Sequence, residues 1–168
     1  MHLALRFALV NDVERILNVR ISAARALTEQ FGDGPWSRES TERGALNGMR
    51  NSRIVLAFDN AIAVGTYRIT TQKPWAIDRA YFTPVTRPLY LTDMAVSVSH
   101  QGTGVGRALL AHAEDVARAY PAQAIWLDAY DANAGAGGFY AKCGFRECGR
   151  NIYRGTPLVY YEKAIVSA

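Results

Sequence analysis

Apolar and polar residues alternate along this chain in short runs whose period changes several times. Residues 3–9 read as a first strand, and Asn11-Asp12 behind it can cap a helix from Val13 to about Ala24. A second helical segment is expected toward Phe31, before the break at Gly32-Asp33-Gly34-Pro35. Ser37, with Glu39 and Glu42 near it, predicts a polar helix running to about Met49. Residues 53–58 and 61–70 predict a hairpin across Asp59-Asn60, a turn-forming pair. Between 72 and 88, Pro74, Pro84 and Pro88 are mixed with Trp75, Tyr81 and Phe82. This stretch reads as a loop with at most one short strand. Residues 89–96 form a central strand.

The second half is more regular. From about Gly104 to Ala119, apolar Val105, Leu109, Val116 and Tyr120 fall at helical spacing, with Arg107, Glu114, Asp115 and Arg118 on other faces. Pro121 stops this helix. Residues 124–130 predict a strand and 134–142 a short helix ended by Gly144. The last strands, 145–149 and 158–164, are joined through Gly155-Thr156-Pro157. The order is that of an α/β protein with a mixed, mostly antiparallel sheet of six to seven strands. Its length suits one domain over 1–168, large enough to bury roughly two thirds of its unfolded surface.

Composition narrows the class without naming the chemistry. Hydrophobic residues make up 49% and charged residues 20%, as in globular proteins, and the net charge is +4. The basic residues are scattered, so nucleic acid is not implied, while a strongly anionic small ligand would suit the balance. No run approaches the ~20 apolar residues of a membrane span, and the opening segment is too short for a signal peptide. A cytoplasmic protein is expected. Cys143 and Cys148 lack the spacing of a zinc site and read as reduced structural thiols, so no metal is expected.

The candidate chemistry begins where the central strand ends. In Gln101-Gly102-Thr103-Gly104-Val105-Gly106-Arg107, a glycine-spaced turn leads into a helix. Such a turn aims unpaired backbone N–H groups outward beside the positive end of the helix dipole, a pyrophosphate cradle. A P-loop would need a lysine after the last glycine, where Arg107 and Ala108 stand. A dinucleotide fingerprint would need glycine three residues after Gly104, where Arg107 stands. Asp128 sits near the distance expected of a ribose-binding acid and keeps a nucleotide-binding oxidoreductase as one alternative.

The pattern Q/R-x-x-G-x-G/A fits Gln101 to Gly106 and resembles the coenzyme A loop of the GCN5-related N-acetyltransferases. Downstream, Asn133, Ala136, Phe139, Tyr140, Gly144 and Phe145 match that family's N-x-x-A-x-x-F/L-Y-x-x-x-G-F. The strand Leu91-Thr92-Asp93-Met94-Ala95-Val96 resembles its fourth strand. The likeness is specific over roughly 89 to 149. One departure is Val98, where many members have proline, which alters the turn's stiffness and leaves its donors.

The resemblance implies a sheet flanked by helices on both faces and splayed between the strands ending at Val96 and Tyr130, with acetyl-CoA as cosubstrate. Met94, Ala95 and Val96 would pair through their backbone with the pantetheine arm. Gln101, Gly102, Thr103, Gly104, Val105, Gly106 and Arg107 would hold the pyrophosphate, and Asn133 the pantetheine, unless Asn133 caps the next helix. A main-chain N–H near Val96 would hold the oxyanion. Tyr140 is the general acid for the leaving thiolate. Because transfer from a phenol at ~10 to a thiol at ~8.5 is uphill by about 2 kcal/mol, it is expected to stabilise the developing charge by a strong hydrogen bond unless its pKa is lowered locally. A lysine-like amine is neutral only about one part in 2,500 at pH 7, costing roughly 4.6 kcal/mol, so the site must remove a proton, directly or through water, or desolvate the ammonium. Asp93, just before Met94, and Asp128 are the candidate bases. His100 is placed to touch phosphate; His112 reads as solvated or packed.

The expected activity is transfer of an acetyl group to a primary amine of a small molecule by direct attack in a ternary complex. Selection of an organic cation is expected from residues 31–36 and 75–82, with Asp33 and Asp78 nearby. A protein α-amine or lysine as acceptor, or a non-catalytic acyl-CoA-binding module, are the other readings. A homodimer is compatible with the sequence.

Overall fold

The computed structural model of the chain describes residues 2–166. Its strands are β1 (Leu3–Phe7), β2 (Arg53–Asp59), β3 (Ile62–Thr70), β4 (Pro88–Val96), β5 (Ala124–Tyr130), β6 (Arg146–Tyr153) and β7 (Thr156–Ala164). The helices are α1 (Val13–Phe31), α2 (Glu42–Asn51), α3 (Val105–Ala119) and α4 (Gly137–Lys142). The seven strands form one mixed sheet in the order β1-β2-β3-β4-β5-β7-β6, flanked by helices. The β4–β5 ladder is parallel and registers Pro88, Leu89 and Tyr90 against Ala124, Ile125 and Trp126. Three pairs are all it contains, although β4 runs on to Val96 and β5 to Tyr130.

The chain divides into two compact units, one holding the residues up to Ile69 with Asp93–His112, the other Thr70–Thr92 with the residues from Ala113 onward. In the first, Ile16 of α1 packs with Ile54, Leu56 and Phe58 of β2, joined by Ala8, Met49 and Ala63. Val13, Ile16 and Val19 recur at helical spacing and make the buried stripe of α1. The core of the second unit is aromatic: Phe82 stacks on Trp126 at 4.5 Å, with Tyr90 and Tyr160 around them. Each aromatic ring buries a large area, so a few of them suffice for a small core.

Several boundaries differ from the expected ones, each for a local reason. α1 is a single helix to Phe31, because nothing between Ala24 and Phe31 interrupts it before Gly32 at φ +80°. Asp12 stands at its N-cap, yet its carboxylate turns back to accept from Leu9 N–H at 2.9 Å and from Arg6. The helix expected from Ser37 begins at Glu42. Thr41 Oγ1 accepts from Gly44 N–H at 3.1 Å and caps it, while Ser37 ends a short turn by accepting from Gly34 N–H. Residues 72–87 hold no strand, but turns: Ile77 N–H donates to the Pro74 carbonyl, and at Arg79–Tyr81 the Ala80 N–H donates to Asp78.

In α3 the buried stripe is Val105, Leu109, Ala113 and Ala117, every fourth residue; Val116 is half-buried and Tyr120 lies exposed past the helix end. α4 starts at Gly137, because Gly135 N–H closes a turn on Ala132 first. The final hairpin turns at Arg154 and Gly155, both at positive φ, so β6 extends to Tyr153 and β7 begins at Thr156.

Candidate active site

The cradle belongs wholly to the first unit. Gly102 and Gly104 lie at φ +75° and +99°, and a Cβ built on either meets nothing within 4 Å. Their backbone is thus open on the side a side chain would cover. Val105, Gly106 and Arg107 open α3, so their N–H groups lack intrahelical acceptors. Arg107 is exposed in that first turn. A diphosphate fits this donor set: open amides, a helix N-terminus and a guanidinium.

Two contacts fix the cradle to the sheet. Ser97 N–H donates to Val64 of β3 at 2.9 Å, and the Gln101 side chain donates to the Val96 carbonyl at 3.2 Å. Gln101 therefore ties the turn to β4 as well as bordering it. Gly65 of β3 lets α3 approach: a Cβ there would lie 2.9 Å from Leu109 Cδ1 and from Val105 Cγ1. His100 is held by the Ser97 and Ser99 hydroxyls at 3.1 and 2.9 Å, with Nε2 3.6 Å from Asp59. His112 bonds the Tyr67 hydroxyl at 2.8 Å, so it is packed. Met94, Ala95 and Val96 are half-buried at the end of β4.

Asp93 precedes them at φ +53°, a conformation uncommon for a non-glycine residue. Its Oδ2 lies 2.9 Å from Arg68 Nε and 3.9 Å from Arg20 Nη2. A carboxylate engaged this way serves first as an ion-pair acceptor.

The second unit carries Asp128, Asn133 and Tyr140. Tyr140 is 7% exposed, its ring against Phe145 and Tyr161 at 5.7 and 6.1 Å. Burial, then the charge of Asp128, then Cys143 push its phenol well above the usual tyrosine range. Asp128 is half-buried on β5. Asn133 is exposed, and because α4 begins four residues later at an N-cap of Ala136 it is not that helix's cap. Asp33 is exposed, and Asp78 is taken up in its own turn.

A family model described as the acetyltransferase (GNAT) family matches residues 19–145. The chain belongs to this family. Among curated proteins, a streptothricin acetyltransferase from Streptomyces lavendulae is 40% identical over 70 residues, which is 40% of this chain and 37% of that protein. The match thus spans little more than a third of the relative's length. The PaiA N-acetyltransferase from Thermoplasma acidophilum, solved in complex with coenzyme A, superimposes with a TM-score of 0.75 at 16% identity, covering 98% of this chain and 99% of that one. An N-acetyltransferase from Staphylococcus aureus Mu50 gives 0.72 at 17% identity, covering 99% and 100%. These two likenesses are of fold.

Within this GNAT chain, three residues of the first unit escaped the sequence reading: Gly65, Arg20 and Arg68. Arg20 had a visible signal, since it falls four residues after buried Ile16 on the apolar stripe of α1. Arg68 and Gly65 lie on a strand that reads as ordinary core. Among the described residues no helix is long and apolar enough to cross a membrane, and no group of three His, Cys, Asp or Glu is placed to hold a metal ion.

Proposed function

We propose that the protein is an acetyl-CoA-dependent N-acetyltransferase acting on a primary amine of a small molecule, by direct attack in a ternary complex. The open glycine backbone at 102 and 104, leading into α3, is the observation that carries this reading. The family match runs through both units, which supports one acetyltransferase domain over 1–168. The streptothricin acetyltransferase relative supports a small acceptor over a protein one.

Acetyl-CoA supplies the acetyl thioester. The amides of Gly102 and of 104–107, with Arg107, hold its diphosphate, while the Thr103 N–H stays on the His100 carbonyl. The backbone of Met94–Val96 aligns the pantetheine as an added strand would. Asn133, exposed before α4, is assigned to the same arm. At ordinary values, ~10 for the phenol and ~8.5 for a thiol, proton transfer from Tyr140 is uphill by about 2 kcal/mol, and the raised phenol widens that gap. Tyr140 therefore acts by donating a strong hydrogen bond to developing thiolate charge and keeps its proton. Asp93, paired with Arg68 and Arg20, and Asp128, half-buried on β5, are the two carboxylates assigned to draw the proton from the amine or to bind it as ammonium.

The test is release of free thiol from acetyl-CoA across an amine library, run beside Gly104→Glu. Turnover with a small amine, and a KM for acetyl-CoA raised at least about 100-fold by the variant through steric and charge conflict, is the expected result. Unaltered acetyl-CoA affinity in Gly104→Glu would overturn the cradle assignment.

A further inference from the structure

Two guanidinium groups in the first unit share one carboxylate. The Arg20 side chain on α1 is only 10% exposed, and its Nε and Nη2 are enclosed without a hydrogen-bond partner. Its nearest acid is Asp93, and the same Oδ2 that lies 3.9 Å from Arg20 is already bonded to Arg68 at 2.9 Å. Two cations face one anion, leaving a net positive charge. Burial pulls the Arg20 guanidinium below its usual range, yet an arginine stays protonated throughout the accessible pH range. The charge persists.

The cluster is reachable from one side. Arg68 and Asp93 are 29% and 43% exposed, so the solvent edge is theirs and Arg20 lies behind them. α2 approaches Arg68 at Gly48, where a Cβ would lie 3.4 Å from Nη1 and 3.5 Å from Cδ; the missing side chain leaves the guanidinium its place. Asp93 occupies its strained φ immediately before Met94, the first residue of the segment assigned to the pantetheine. Backbone strain of this kind clusters at ligand-binding positions, and a buried charge without full compensation is costly; the two meet here.

We propose that Arg20 and Arg68 seat a carboxylate of the acceptor, so that the substrate is an amine of the amino-acid class. This rests on the acetyl-transfer reading above and names the acceptor's chemistry. Arg68 stands at the solvent edge and meets the incoming carboxylate while still bonded to Asp93, Arg20 supplies the unspent charge behind it, and Asp93 offsets the repulsion between the two guanidiniums until the ligand arrives.

The test compares free amino acids with their matching carboxamides, by thiol release and by calorimetric titration of the coenzyme A-loaded protein. Expected is a kcat/KM for an accepted amino acid at least about 10-fold above its carboxamide, falling to near parity in Arg68→Gln and Arg20→Met. Arg68→Lys, which keeps the charge and loses the fork, should recover part of the preference. Arg20→Met should also raise Tm, by about 3 °C, because it removes an unsatisfied buried cation. Turnover that ignores or disfavours the carboxylate overturns this inference and leaves acetyl transfer standing. A fall in Tm for Arg20→Met overturns it too, since Arg20 is then a structural partner of Asp93. If no amine releases thiol, acetyl transfer falls instead. The titration then decides alone: carboxylate-dependent binding lost in Arg68→Gln upholds the seat, and equal or no binding of acid and carboxamide overturns it.

Discussion

Tyr140 owes its chemistry to its surroundings. An exposed tyrosine would ionise near 10, but this phenol is enclosed by Phe145 and Tyr161 and feels the charge of Asp128, both of which disfavour its anion. It remains a donor across the accessible pH range. For Tyr140→Phe we expect kcat to fall about 100-fold, the usual loss of one preorganised donor, with acetyl-CoA affinity kept. Single-turnover thiol release beside calorimetric titration reads the two separately. Turnover at the wild-type rate would take the hydroxyl out of the chemistry.

Individual elements are set by a few close approaches. Gly65 on β3 is one, because the start of α3 occupies the space a side chain would need. Gly65→Val should displace the first turns of α3, cost about 1–3 kcal/mol by overpacking, and weaken acetyl-CoA binding about 10-fold or more. Denaturant unfolding and titration of the same sample check both. The start of α1 is another such point. Asp12, 1% exposed, accepts both Arg6 nitrogens at 2.6 and 2.9 Å and the Leu9 N–H at 2.9 Å. Chiefly the Arg6 hydrogen bonds hold its carboxyl down at about 2. A depressed acid stabilises the fold above its unfolded value, near 3.9, and the contribution disappears as pH falls through the folded value. Asp12→Asn should therefore cost about 2 kcal/mol at pH 7. Its deficit against the wild type should shrink between pH 4 and pH 2, followed by urea titrations across that range.

At the scale of the whole chain, the GNAT reading makes stability depend on ligand. Acetyl-CoA at 100 times its Kd should add about 2.7 kcal/mol, hence raise Tm by about 5–10 °C for a chain of this length. NAD at equal concentration should leave Tm where it was. A differential scan with both ligands measures this directly, and protection by NAD alone would overturn acetyl-CoA as the ligand.

What the linear order of residues determined is the local structure that depends on short spacing. The glycines of the cradle, the helix behind them, the β5 strand and the Asn133-to-Tyr140 interval are all local, since turn conformation and helix initiation are decided within a few residues. Boundaries governed by competing hydrogen bonds were less legible: the choice between Ser37 and Thr41 as a cap depends on whether Ser37 is already occupied by Gly34 and Thr28. Only the tertiary structure revealed that Asp93 is claimed by Arg68 and Arg20, that Gly65 makes way for α3, and that Tyr140 is sealed from water. Each of these joins residues far apart in the chain, where burial and charge pairing are properties of the packed arrangement and leave no period in the sequence.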